Sequence, residues 1–114
     1  GNSLMANLYI GKYTTIGNNN QFFPFSTIGV VPQDLKFGTE RTDCIIGNNN
    51  TIREHVSIHR GTQHGGGETR IGDNNLLMVN AHIAHDCNVG NEIILSHGGT
   101  LAGHVEVGNK ATVG

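Results

Sequence analysis

The 114-residue chain has no tryptophan, two prolines and two cysteines, and aromatic residues make up only 5% of it. Large rings normally supply much of a small domain's buried area, so burial here must come from something repetitive. No apolar run approaches the roughly 20 residues of a membrane span, and no basic-then-apolar leader opens the chain. A cytoplasmic protein without a transmembrane segment is therefore expected. The formal charge is −2 and no block of lysine or arginine occurs, which removes the electrostatic footprint of a nucleic-acid binder. Cys44 and Cys87 stand far apart and outside any CxxC pattern, a usage that suits reduced structural thiols better than a disulfide framework. The length suits one domain. Gly1-Asn2-Ser3 resembles a cloning remnant, which leaves residues 4–114 as the expected domain.

What the chain does have is 17 glycines, seven histidines and a period. Steps of six from Ile71 reach Leu77, Ile83, Val89, Leu95, Leu101, Val107 and Val113, all aliphatic. By chance this would occur on the order of once in 100,000 frames. The amino-terminal half marks its own frame with Ile10, Ile16, Phe22 and Ile28, then Ile46, Ile52 and Ile58. A six-residue period fits neither a helix nor an alternating strand, but it is the mark of a parallel β-helix built from hexapeptides. Aliphatic-glycine pairs at 10–11, 28–29 and 46–47, then at 71–72, 89–90 and 107–108, suggest an 18-residue superperiod of three hexapeptides per triangular coil. Asparagine runs near those pairs suit corners, because asparagine and glycine tolerate left-handed backbone. The expected architecture is all-β, a single-stranded parallel β-helix of about six coils. Excursion loops are expected near 31–44 and 60–70, where the marks fade or the frame slips by one residue.

Such a scaffold needs only aliphatic, small and corner residues, so clustered polar side chains ask for a second explanation. His82 and His85 flank Ile83 in the string from Asn80 to Cys87, and His104 follows in Leu101-Ala102-Gly103-His104-Val105. His104 lies nineteen positions after His85, one coil plus one residue, which places both on one edge about a strand spacing apart. Asp86 beside His85 could fix the imidazole tautomer and support its protonated form, as a base for a hydroxyl group requires. Gly103 could present an unobstructed N–H to an oxyanion, or could be a corner glycine. A single histidine is more often solvated or bonded to backbone. His82, His85, Asp86 and Cys87 are zinc-ligand types, yet His-x-x-His on an extended strand points to opposite faces and no standard zinc spacing follows, so no metal is expected. Lys36 in the first excursion could meet a phosphate or could be solvated. Ile58-His59-Arg60-Gly61-Thr62 could be a corner with a stray basic pair.

Taken together, Gln33-Asp34-Leu35-Lys36, Ile58 to Thr62, Gly65-Gly66-Gly67, Asp73 to Met78, Asn80 to Cys87 and Leu101 to Val105 resemble the UDP-N-acetylglucosamine O-acyltransferases that begin lipid A synthesis. The resemblance implies the left-handed sense of the coil, which general crossover rules would not predict. It also implies transfer of a 3-hydroxyacyl group from an acyl carrier protein thioester to the sugar 3-hydroxyl, without metal or organic cofactor. By the same resemblance His85 is the general base, Asp86 orients it, and the Gly103 N–H faces the oxyanion. His82, His104, Asp34 and Gln33 then line the cleft for nucleotide sugar and acyl chain, with Lys36 and His59 at its rim. Family members are homotrimers with clefts between subunits. They are longer at both ends and carry a carboxy-terminal helical domain, so the chain reads as truncated at both ends, with reduced or absent activity as one outcome. A sugar-nucleotide N-acyltransferase and a non-catalytic trimeric interaction module stay open as alternatives.

Overall fold

The computed structural model describes residues 1–114. Sixteen strands of two to four residues follow one another, with one 3₁₀ turn at Gln63–Gly65. Each strand pairs in parallel with the third strand after it, so three strands close one triangular coil. The coils stack into one six-stranded and two five-stranded sheets. Strands this short hold because backbone groups bond to the coils above and below, as in other solenoids.

The aliphatic marks sort into three columns running along the axis. Leu4, Phe22, Ile52, Leu77, Leu95 and Val113 are register partners in one sheet. Ile10, Ile28, Ile58, Ile83 and Leu101 form the second column. Ile16, Ile46, Ile71, Val89 and Val107 form the third. In the middle coils these side chains are completely buried, while the end members Leu4 and Ile10 are open. Each buried aliphatic side chain contributes roughly 1.5–3 kcal/mol, which replaces the missing large rings.

The two excursions behave differently. Thr27 pairs with Ser57, thirty positions on, where the preceding step from Tyr9 to Thr27 is eighteen. The first excursion therefore adds twelve residues, two whole repeats. The aliphatic phase survives it, but the face does not: Ile46 pairs with Ile16 and not with Ile28. The 18-residue superperiod counted across Ile28 and Ile46 is thus broken, although it holds on either side. Strand structure resumes at Asp43, so Cys44 belongs to the coil. The second excursion adds seven residues, the step from Ser57 to His82 being twenty-five, and ends where the strand Glu68–Ile71 begins.

Corners are built by two separate devices. Left-handed backbone falls in columns that include Asn19, Asn49, Asn74, Glu92 and Lys110 at one corner and Asn7, Phe25, His55, Asn80 and Gly98 at another. Most of the glycines in the aliphatic-glycine pairs are not left-handed. They are required by close approach: a Cβ on Gly17, Gly47 or Gly72 would lie 2.6–2.7 Å from the carbonyl oxygen of the glycine one coil on. Gly29 is the exception, with a φ of 74° at a bulge where the register shifts between Ile28 and Val30.

Two side-chain ladders bind the glycine corner. Buried Asn20, Asn50 and Asn75 each donate Nδ2 to a glycine carbonyl one coil on, at 2.9–3.0 Å. Their Oδ1 atoms accept the backbone N–H of Asn50, Asn75 and Ile93. Outside them, Asn48, Asp73, Asn91 and Asn109 accept from backbone N–H groups of the preceding coil. Asn2 Oδ1 accepts from Asn20, and Ser3–Leu4 pairs with Gln21–Phe22. The opening residues left outside the expected domain therefore take part in the first coil.

Candidate functional site

His82 stands on the strand His82–Ile83, with Ile83 inward and His82 half-buried on the outer face. The chain then turns the corner through Asp86, whose φ is 62°, and one coil later through His104, whose φ is 65°. Successive corners therefore carry His85-Asp86 and Gly103-His104. The His104 N–H donates to the His85 carbonyl at 3.0 Å, and the two rings meet edge to face with centroids 4.9 Å apart.

The Asp86 side chain is wholly buried. His85 Nδ1 lies 2.8 Å from its Oδ2 and His104 Nδ1 lies 3.8 Å from the same oxygen. Thr62 donates its N–H to Oδ1 at 2.8 Å and its hydroxyl to Oδ2 at 2.5 Å. Burial alone would raise this carboxyl, but the hydrogen bonds from Thr62 and His85 outweigh it and hold Asp86 below the ordinary aspartate value. A carboxylate on Nδ1 makes Nδ1 the protonated nitrogen and leaves Nε2 as the basic one. The His85 ring lies against Gly103, where a Cβ would come within 2.6–2.7 Å of Cε1 and Nε2. No backbone acceptor takes the Gly103 N–H. A basic nitrogen and a free amide donor thus sit side by side, an arrangement able to deprotonate a hydroxyl group and stabilise an oxyanion.

A second pair lies one strand further back. Ser57 Oγ is 2.6 Å from His82 Nδ1, and the His82 ring meets His59 edge to face at 4.8 Å. His59, expected at a cleft rim, is buried at 6% exposure, on the strand Ser57–His59 where it pairs with Val30 of the neighbouring coil. Its Nδ1 has no partner, and burial pushes its value down to about 4. Burial also lowers His82.

Among the first-excursion residues, Asp34 is the one brought to the site. Its Oδ2 is 3.5 Å from His64 Nε2, and its Oδ1 accepts the Lys36 N–H at 2.9 Å, the main cause of its lowered value. The exposed side chains of Gln33 and Lys36 make no hydrogen bond within the chain. Arg60 joins the two excursions to the first coil, its guanidinium 5.6 Å from the Tyr13 ring and 5.4 Å from Phe37. The zinc-type quartet does not converge, since Cys87 turns into the core and donates to the Ala102 carbonyl. His85, Asp86 and His104 each offer a ligand atom within 4.8 Å of the others, but the carboxylate is already engaged by Thr62. Both cysteines are free and buried, and burial raises both thiols, Cys44 to about 12.

Sequence reasoning missed Thr62, Ser57 and His64. Thr62 and His64 sit in the seven-residue insertion, whose odd length removes any register by which to pair them. Ser57 was reachable, since its column holds Thr27, His82 and Thr100.

No family model matches the chain, whereas solved structures do. It is similar to LpxA from Acinetobacter baumannii at 49% identity, with a TM-score of 0.97 over 98% of this chain and 43% of that one. It is also similar to LpxA from Bacteroides fragilis, a UDP-N-acetylglucosamine acyltransferase, at 47% identity and a TM-score of 0.90, over 92% of this chain and 41% of that one. A third similar structure is the UDP-N-acetylglucosamine acyltransferase from Campylobacter jejuni, at 39% identity and a TM-score of 0.79, over 98% and 50%. The chain spans half or less of the length of each. With these matches the fold is the parallel β-helix expected from the repeat, with the left-handed sense that the resemblance implied.

Proposed function

The chain belongs to the UDP-N-acetylglucosamine acyltransferase family, and on that premise we propose that it carries the base and oxyanion donor for acyl transfer to UDP-N-acetylglucosamine in lipid A synthesis. The donor in this proposal is an acyl carrier protein thioester, and the reaction is placed in the cytoplasm. The observation that carries it is the His85 ring, held at Nδ1 by Asp86 with Nε2 lying over Gly103.

In the proposed reaction Nε2 takes the proton of the sugar 3-hydroxyl as that oxygen attacks the thioester carbonyl. The resulting oxyanion accepts the Gly103 N–H. Collapse breaks the carbon–sulfur bond, and the His85 imidazolium returns its proton to the departing thiolate. Asp86 stays ionised throughout and stabilises the imidazolium. His82, His104, Asp34, Gln33, Lys36 and His59 are assigned to the surrounding cleft for nucleotide sugar and acyl chain. His82 is half-buried and His104 half-exposed, and the proposed assembly is a homotrimer in which a neighbouring subunit covers them. Incubation with a hydroxyacyl carrier protein and UDP-N-acetylglucosamine tests the reading: O-acylated nucleotide sugar from the unmodified chain and none from His85→Ala is expected. Equal product from both sinks the assignment of the base.

A further inference from the structure

We propose that Thr62 is a positioning residue for the His85–Asp86 pair, clamping the carboxylate from the second excursion so that His85 presents Nε2 as the base. This deepens the function proposed above and rests on His85 being that base.

Asp86 is closed off from solvent, so both of its oxygens depend on protein donors, since an unsatisfied buried carboxylate is costly. Of its three close donors, Thr62 supplies two, one to each oxygen, and His85 supplies the third. A carboxylate pinned at both oxygens cannot rotate away from the imidazole. Thr69 adds a fixed point by accepting the Asp86 N–H at 2.9 Å.

Thr62 itself is wholly buried and directly precedes the 3₁₀ turn Gln63–Gly65. Threonine in that place usually spends its hydroxyl on capping the turn. Here no such cap is made, and the hydroxyl points to Asp86 instead. The turn closes on the Thr62 carbonyl through the N–H groups of Gly65 and Gly67. It also presses against the pair, because a Cβ on Gly65 would reach the Asp86 carboxyl and come within 2.5 Å of His104 Cε1. The turn buries no residue of its own, so the insertion adds nothing to the aliphatic columns. What it delivers is the clamp.

The charged and titratable groups facing His85 are Asp86, His104 of the next coil, His59 of the preceding one and Asp34 of the first excursion. The clamp is tested by imidazole nitrogen NMR of His85 across pH in the full chain, in Thr62→Val and in Thr62→Ser. Valine keeps the shape and the N–H but loses the hydroxyl, while serine keeps both donors. The neutral ring should be the Nδ1–H tautomer in the full chain and in Thr62→Ser, and a mixture of tautomers in Thr62→Val. In acyl transfer Thr62→Val should lower kcat about tenfold with KM for the nucleotide sugar nearly unchanged. An unaltered tautomer in Thr62→Val overturns the clamp. If that variant does not fold, the unmodified chain decides: a slowly exchanging Thr62 hydroxyl proton supports the clamp and a freely exchanging one refutes it. A tautomer change without acyl transfer in any form leaves the clamp standing and rejects the function it rests on.

Discussion

His85 and His104 share one buried carboxylate, at 2.8 Å and 3.8 Å from Asp86 Oδ2, with their rings edge to face across a single coil step. The shorter contact belongs to the ring packed over Gly103, and the longer to a half-exposed ring. This asymmetry is the basis for giving the two histidines different work in the proposed reaction.

If His85 is the base and His104 a cleft residue, the two alanine variants should separate clearly. His85→Ala is expected to lower kcat by roughly 10²–10⁴-fold, the range of general-base contributions. His104→Ala leaves the closer pair intact and should cost far less in kcat, with its effect in KM. Steady-state transfer assays on both variants decide the matter, and equal losses in kcat would reject the division of labour.

Gly103→Ala places a methyl group against the His85 ring, while its backbone is not left-handed. Stability should barely change, yet displacing the ring by about 1 Å should lower transfer on the order of 100-fold. Thermal unfolding alongside kcat makes the comparison, and a drop in stability matching the drop in rate would contradict it.

Asn50→Ala removes three hydrogen bonds at 2.9–3.0 Å, to Asn20, Gly72 and Asn75. At about 1 kcal/mol each, the loss should be roughly 3 kcal/mol. Asn48→Ala on the outer ladder removes the bond to the Asn18 N–H and should cost about 1 kcal/mol or less. Urea midpoints of the two variants should rank accordingly.

His59 is held neutral by burial, with its value near 4 against 6.5 for the free side chain. The unfolded chain therefore binds more protons between these values, and stability falls as pH drops from about 6.5 to about 4. The contribution amounts to about 3 kcal/mol at the acid end. Above pH 6.5 the term vanishes. His59→Leu should flatten this part of the stability curve in denaturant titrations at pH 7, 5.5 and 4. An unchanged slope would place the acid sensitivity elsewhere, with His82 and the carboxylates that share its direction.

Much of the fold was legible because the aliphatic marks obey one count. Steps from Ile71 to Val113 rotate through three columns without a break. The count misled across the first excursion, where twelve added residues preserve a period of six while moving Ile46 to a different face from Ile28. Asparagine and glycine together were expected at left-handed corners; Asn19, Asn49, Asn74 and Asn80 do take that conformation, whereas most glycines of the aliphatic-glycine pairs do not and answer to contact between coils. The His85, Asp86 and His104 cluster could be read from nineteen-residue spacing. Thr62 could not, since an insertion of seven leaves no phase by which to align it with Asp86.

The backbone bond between the two histidine corners gives the site a property that its side chains do not supply. The His104 N–H donates directly to the His85 carbonyl, so the separation of the two backbones equals one interstrand hydrogen bond and is not set by how the interior packs. Substitutions in the aliphatic columns should therefore change how readily the molecule unfolds while leaving the spacing of the two imidazoles untouched. Stability and active-site geometry become separately adjustable, an unusual freedom in a domain of this size.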